Sequence, residues 1–263
     1  MISLQKVSGL PIELQDDFHL KLNAPLPNVE PGVRTLEQLK KVLMDPTAAS
    51  DRSEMYYMYR KVEAADDAIK MDPHNVRYDV TVIPPAKIGQ ELNKTAGHYH
   101  ATAPGAKFAY PEVYEVIHGH ALFLIQKIDE QGKLTHVYYL EAKAGDKVVY
   151  PPNYGHIIVN IGNDPIVTAN WVADHFDSNY KDIEDRKGMA YYVTGAGDGR
   201  YTFIANPHYD NIPAIQELST AGMAAFEIFN AGPMYSSAIQ HPEYLEFLTD
   251  PDKYSEKLSA IAS

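Results

Sequence analysis

The sequence predicts a mainly β protein: a β-barrel or jelly roll over residues 75–205, preceded by an extended arm with a helix and followed by a helical extension. Three observations lead there. From about 75 to 205, short runs rich in Val, Ile, Tyr and Thr alternate apolar with polar residues, and Gly, Pro, Asn and Asp punctuate them. On both sides of that span apolar residues recur three and four apart, the period of a helix. No internal repeat or low-complexity tract is present.

Residues 1–34 are Pro-rich and read as extended arm and loop, with "NAPLPNVEPG" as the clearest turn stretch. In "TLEQLKKVLMDP", Thr35 caps a helix carrying Leu36, Leu39, Val42 and Leu43, and Pro46 stops it. A polar segment runs to 74. The strands then come in "RYDVTVIPPAKIGQELNKTAGHYH", "EVYEVIHGHALFLIQKI", "THVYYLEAKAGDKVVYPPNYGHIIVNIGN" and "PIVTANWVAD". After "ANPHYDNIP", helices are expected in "PAIQELSTAGMAAFEIF" and "HPEYLEFLTDPDKYSEKL". The expected division is an arm and helix over 1–74, a barrel over 75–205 and a helical extension over 206–263.

Composition narrows the chemistry. With 263 residues, 45% hydrophobic and 22% charged, the chain can bury a substantial core. It has no cysteine, which excludes disulfides, thiolate catalysis and zinc–cysteine sites. A net charge of −12 without a basic stripe argues against a nucleic-acid partner. No apolar run is long enough to span a membrane, and no signal-peptide pattern opens the chain, so a cytoplasmic location is expected.

The chemistry-bearing residues cluster in "GHYHATAPGAKFAYPEVYEVIHGH". In a strand, side chains two apart share a face, so His98 and His100 project together while Tyr99 points the other way. Glu112 opens the next strand, and His156 opens another after the turn "PPNYG". A barrel brings such strand ends together. Three imidazoles and one carboxylate suit a divalent ion and leave positions open for a substrate. His118 and His120 have the same spacing but straddle Gly119, which reads as a hairpin turn; they are expected at the surface or behind the site.

The order H-x-H, then Glu112 with Gly119 beyond it, then Gly145, Asp146, Pro151 and His156, resembles the two motifs of the cupin superfamily. The resemblance implies a cupin jelly-roll barrel with His98, His100, Glu112 and His156 as metal ligands. The insert "ATAPGAKFAYP" must loop out to bring Glu112 into place; otherwise Glu115 takes its role. "KTAGHYH", "EVY" and "HIIVNIGNDP" look more closely like the cupin-type phosphoglucose isomerases over about 75–210. That resemblance implies interconversion of glucose 6-phosphate and fructose 6-phosphate at one divalent ion per subunit, iron(II) first, with manganese, nickel or zinc as alternatives. It gives Glu112 a second role as proton carrier. It implies that the phosphorylated hexose is met by Thr81, Thr95, Gly97, Tyr99 and Tyr180, and that the protein is a homodimer. Where that family carries a histidine two residues before the tyrosine matching Tyr180, this chain has Ser178, and His175 is the nearby candidate for acid/base work with Tyr180. After "PP" the chain has Asn153 and Tyr154 in place of an aromatic pair. Lys87 and Lys94 are further sources of positive potential. Mannose 6-phosphate isomerisation, iron dioxygenase chemistry and non-catalytic sugar-phosphate binding are the alternatives.

Overall fold

The computed structural model describes residues 1–175, 178–196 and 198–262. Its larger sheet has six antiparallel strands in the order Lys147–Tyr150, Glu112–His118, Ile166–Ala173, Val76–Ile83, Glu54–Tyr59 and Gly32–Thr35. A second sheet sets Tyr154–Asn160 beside His120–Ile128 and Leu134–Lys143, with the short strand Gln216–Glu217 joining in parallel. Side chains from both sheets merge in one core. Among the described residues, no helix is long and apolar enough to cross a membrane.

Four departures from the sequence reading matter most. Two strands of the larger sheet, Gly32–Thr35 and Glu54–Tyr59, come from before residue 75. "EMYYMY" lies in the segment read as polar, yet Tyr56, Tyr57 and Tyr59 are buried, because tyrosine pairs a large apolar ring with one polar tip. The expected helix after Thr35 is one turn, Leu36–Leu39, closed by a capping box with Gln38 and followed by a 3-10 turn, Lys40–Val42.

Gly119 is a corner, not a hairpin turn. The strand ending at His118 and the one starting at His120 belong to different sheets, and a register shift between Val116 and His118 bends the chain toward the second. His118 Nδ1 donates to the Pro165 carbonyl at 2.8 Å, and His120 Nε2 lies 2.8 Å from Glu141.

The fourth departure is the C-terminal extension. Residues 216–217 are strand, and the helix Met234–Gln240 lies in a stretch not read as helical. Elsewhere the extension is short turns of helix, including Glu227–Asn230 and Ser255–Ser259, cut by Pro233, Pro242 and Pro251. Its apolar residues are spaced to cover the outer face of the six-stranded sheet. Tyr235 packs on Tyr78 and Trp171 at ring distances of 5.0 and 6.0 Å. Met234 N donates to Glu115 Oε2 at 3.0 Å, and Lys147 Nζ donates to Ala231 O at 2.8 Å. The strands Glu112–His118 and Ile166–Ala173 are therefore buried on both faces, and the inner one is free to carry polar chemistry.

Candidate metal centre and its cavity

His98 and His156 face each other across an antiparallel bridge, with His156 N donating to His98 O at 3.2 Å. Two glycines let these segments close up. At Gly97, with φ +81, a Cβ would lie 2.5 Å from Ile157 Cγ2; at Gly155 it would lie 2.5 Å from the Tyr99 ring. The sequence between His100 and Glu112 does loop out, as a small excursion held by Tyr110 N to Ala101 O at 3.1 Å and Ala103 N to Phe108 O at 3.1 Å. Its return fixes His100, whose Nδ1 lies 2.8 Å from Tyr110 O.

One ligand atom from each of His98, His100, Glu112 and His156 lies within 4.8 Å of the others. Glu112 Oε2 is 3.3 Å from His100 Nε2 and 3.4 Å from His156 Nε2, and His98 and His100 approach Nε2 to Nε2 at 3.2 Å. Glu112 Oε2 and His156 Nε2 are buried without a hydrogen-bond partner. Buried polar atoms are normally paired, so unpaired acceptors facing one point are what a bound cation satisfies. The protonation states agree. Burial and the neighbouring imidazoles hold His98 well below the ordinary histidine range, and burial lowers His156. Burial pulls Glu112 upward, but the facing imidazoles outweigh it and keep the carboxyl below its usual range. Neutral imidazoles and an ionised carboxylate are the forms that bind metal.

The remaining Glu112 oxygen, Oε1, accepts from Asn170 Nδ2 at 2.7 Å, and Tyr150 stacks on His156 at 4.1 Å. Asn170→Ala is expected to weaken affinity for a divalent ion by about 10- to 100-fold, read by titration with the metal, because Glu112 loses the bond that orients it.

The cluster opens on a cavity. Thr81, Thr95, Gly97 and Tyr180 line it, together with Ser178. Thr95 Oγ1 accepts from Ile158 N at 3.0 Å, which leaves the hydroxyl proton for another acceptor. Tyr180 lies over His98 at 5.4 Å.

Other expected residues fall elsewhere. Tyr99 points away from the cavity, as strand alternation requires, and its hydroxyl accepts from Gln126 Nε2 at 3.0 Å. His175 is outside the cavity lining; its side chain is 80% exposed beside Asp174. Lys94 is buried and engaged by Glu91 and the Val42 carbonyl, and Lys87 is exposed away from the cluster. Glu115 faces the C-terminal extension, the side of the strand opposite Glu112. Asn153 accepts from Ala109 N at 3.0 Å and so anchors the excursion, while Tyr154 is buried.

The cavity also contains residues the sequence reading passed over: Tyr56, Arg60, Arg77, Asp79, Tyr114 and Asn170. Asp79 accepts from Arg60 Nη1 at 3.0 Å and Arg77 Nε at 2.9 Å. A signal was present. Arg77, Asp79 and Thr81 are two apart, a polar face on a strand whose other face is apolar, and Asn170 interrupts the apolar run "IVTANWVA".

Fold and donor set together define a cupin-type β-barrel protein with a three-histidine, one-carboxylate cluster suited to a divalent ion. The family model described as glucose-6-phosphate isomerase (GPI) matches residues 33–210, and the chain belongs to that family. It is 27% identical over 184 residues to the glucose-6-phosphate isomerase of Thermococcus onnurineus, covering 70% of this chain and 90% of that protein. It is 26% identical over 201 residues to that of Thermococcus kodakarensis, covering 76% and 95%. With that of Pyrococcus furiosus it shares 31% over 135 residues, covering 51% and 65%. Among solved structures, Bacillus subtilis oxalate decarboxylase is a distant likeness: 22% identity, TM-score 0.34, over 49% of this chain and 28% of that one.

Proposed function

We propose that the protein interconverts glucose 6-phosphate and fructose 6-phosphate in this cavity. The observation that carries the reading is the pair of unpartnered buried atoms, Glu112 Oε2 and His156 Nε2, beside a cavity lined by Thr81, Thr95 and Gly97. His98, His100, Glu112 and His156 would hold the divalent ion, which supplies Lewis acidity toward the sugar's carbonyl end. Thr81, Thr95, Gly97 and Tyr180 receive the phosphoryl group; the threonine and tyrosine hydroxyls suit its oxygens as donors. Glu112 moves the proton between C2 and C1, with Asn170 fixing the carboxylate's orientation. Met58, Ile158 and Val172 give the cavity apolar walls that limit water at the reacting carbons. Tyr180 remains in reach of the substrate, whereas the exposed His175 has no direct part in this reading. Iron(II) is the proposed ion, and a cytoplasmic homodimer the proposed form.

The test removes and restores the metal. Protein stripped with chelator should lose isomerase turnover and regain it as single divalent ions return, with glucose 6-phosphate preferred over mannose 6-phosphate. Full turnover after complete metal removal would exclude the mechanism. Preference for mannose 6-phosphate would reassign the substrate, and sugar-phosphate binding without turnover would make the protein a sensor.

A further inference from the structure

The residues proposed to receive the phosphoryl group are neutral, yet the ligand is a dianion and the chain carries a net charge of −12. A cation is needed near that end of the cavity. Most basic side chains in the neighbourhood are already engaged: Lys94 by Glu91 and the Val42 carbonyl, Lys41 with Glu184 at 3.2 Å, and Arg60 and Arg77 with Asp79. Tyr56 lies in the strand Glu54–Tyr59 and Arg60 just past its end, which puts the Arg60 end of the cavity about 13 Å from the Tyr56 end.

Arg34 is different. Its strand is the edge of the six-stranded sheet, and it pairs directly with Tyr56, so both side chains rise from the same face, Tyr56 in the cavity lining and Arg34 just outside it. Its guanidinium carbon lies 5.6 Å from the Tyr180 ring and 6.0 Å from the Tyr56 ring. Tyr56 in turn holds the Thr95–Gly97 segment, its hydroxyl accepting from Ala96 N at 3.2 Å. Arg34 Nε is buried with no hydrogen-bond partner, while the rest of the guanidinium meets the Tyr56 hydroxyl and feels Glu184, which Lys41 also engages.

We propose that Arg34 is the cation of the phosphate subsite: it positions Tyr180 and Tyr56 through their rings and balances the charge of a phosphoryl group held by Thr81, Thr95 and Gly97. The inference rests on the reading that the cavity takes a phosphorylated hexose. Arg34 acts as a positioning residue, its partly buried guanidinium lying against the two tyrosine rings. Guanidinium suits this place because it is planar, stacks on aromatic faces and stays charged at every working pH.

The experiment compares metal-loaded wild type with Arg34→Met and Arg34→Lys. Calorimetry measures glucose 6-phosphate and inorganic phosphate binding across a range of salt concentrations, and kinetics measures KM and kcat. Arg34→Met should weaken glucose 6-phosphate binding about 10- to 100-fold. It should weaken inorganic phosphate as well, flatten the salt dependence, and act more on KM than on kcat. Arg34→Lys, which keeps the charge, should recover part of the loss. The proposal is overturned if Arg34→Met binds both ligands as wild type does, or if Arg34→Lys falls as far as Arg34→Met, which would make the role one of shape. Binding is read separately from turnover. Wild type that binds glucose 6-phosphate without converting it would defeat the isomerase reading while Arg34 is still judged by affinity. Wild type that binds no phosphorylated sugar would defeat both.

Discussion

His156→Ala is expected to empty the protein of its divalent ion and to cut isomerase turnover by at least ~100-fold. His156 is buried, its ring lies against Tyr150, and its Nε2 has no other partner. Alanine cannot replace the lost donor, and three ligands around an open cavity hold a dication far less well than four. His120→Ala is the matched control. His120 is partly exposed and paired with Glu141, remote from the cluster, so metal content and turnover should change by no more than about twofold. Elemental analysis of the folded variants, beside their turnover, checks both results. Equal metal content in His156→Ala and wild type would remove the cluster from the mechanism.

The second large effect is on stability. Lys147→Met is expected to destabilise the fold by about 3–5 kcal/mol at pH 8. Glu115 and Lys147 sit opposite each other on neighbouring strands, 3.7 Å apart and both nearly buried beneath the C-terminal extension. Removing the ammonium leaves Glu115 with one backbone N–H, so at pH 8 it must either stay charged and unpaired or take up a proton against the solution. Burial already pushes the Glu115 carboxyl up to about 7, against 4.5 for an ordinary glutamate. The folded state therefore keeps its proton where the unfolded chain has lost it. That contribution is fully present below pH 4.5 and is lost as the pH rises through about 7. The penalty of Lys147→Met should accordingly be smaller at pH 5, where the carboxyl is protonated, than at pH 8. Urea unfolding at the two pH values measures the difference; an equal loss at both would show that Glu115 does not ionise in the folded state.

The His98–His100 pair was legible because strand alternation is a strictly local rule, whereas Glu112 and His156 were joined to it by the resemblance to cupins. His98 and His100 had to share a face, and Tyr99 had to point away, as it does. The same rule separates Glu112 from Glu115, three apart and therefore on opposite faces, once Glu112 is known to lie in a strand. Long-range neighbours were not legible in the same way. Arg34, Tyr56, Arg60 and Asn170 approach the cluster through the order of strands in the six-stranded sheet, an order that no single stretch encodes. His175 is near Tyr180 in sequence, but it follows the end of the Ile166–Ala173 strand and lies outside the cavity lining. The C-terminal segment showed its apolar spacing without its purpose. Those residues meet a sheet, and prolines limit how far each helical turn extends.

By itself, the sequence determined the β-rich class, the absence of thiol chemistry, and that His98 and His100 share a face. These follow from residue type and from a period of two, which are properties of short stretches. Only the tertiary structure decided that Glu115 serves the C-terminal extension, that the first sixty residues supply two strands of the larger sheet, one of them lining the cavity, and that an arginine from the sheet edge stands beside Tyr180. Those relations depend on register between distant strands. Burying one continuous core fixes that register, and no local propensity specifies it.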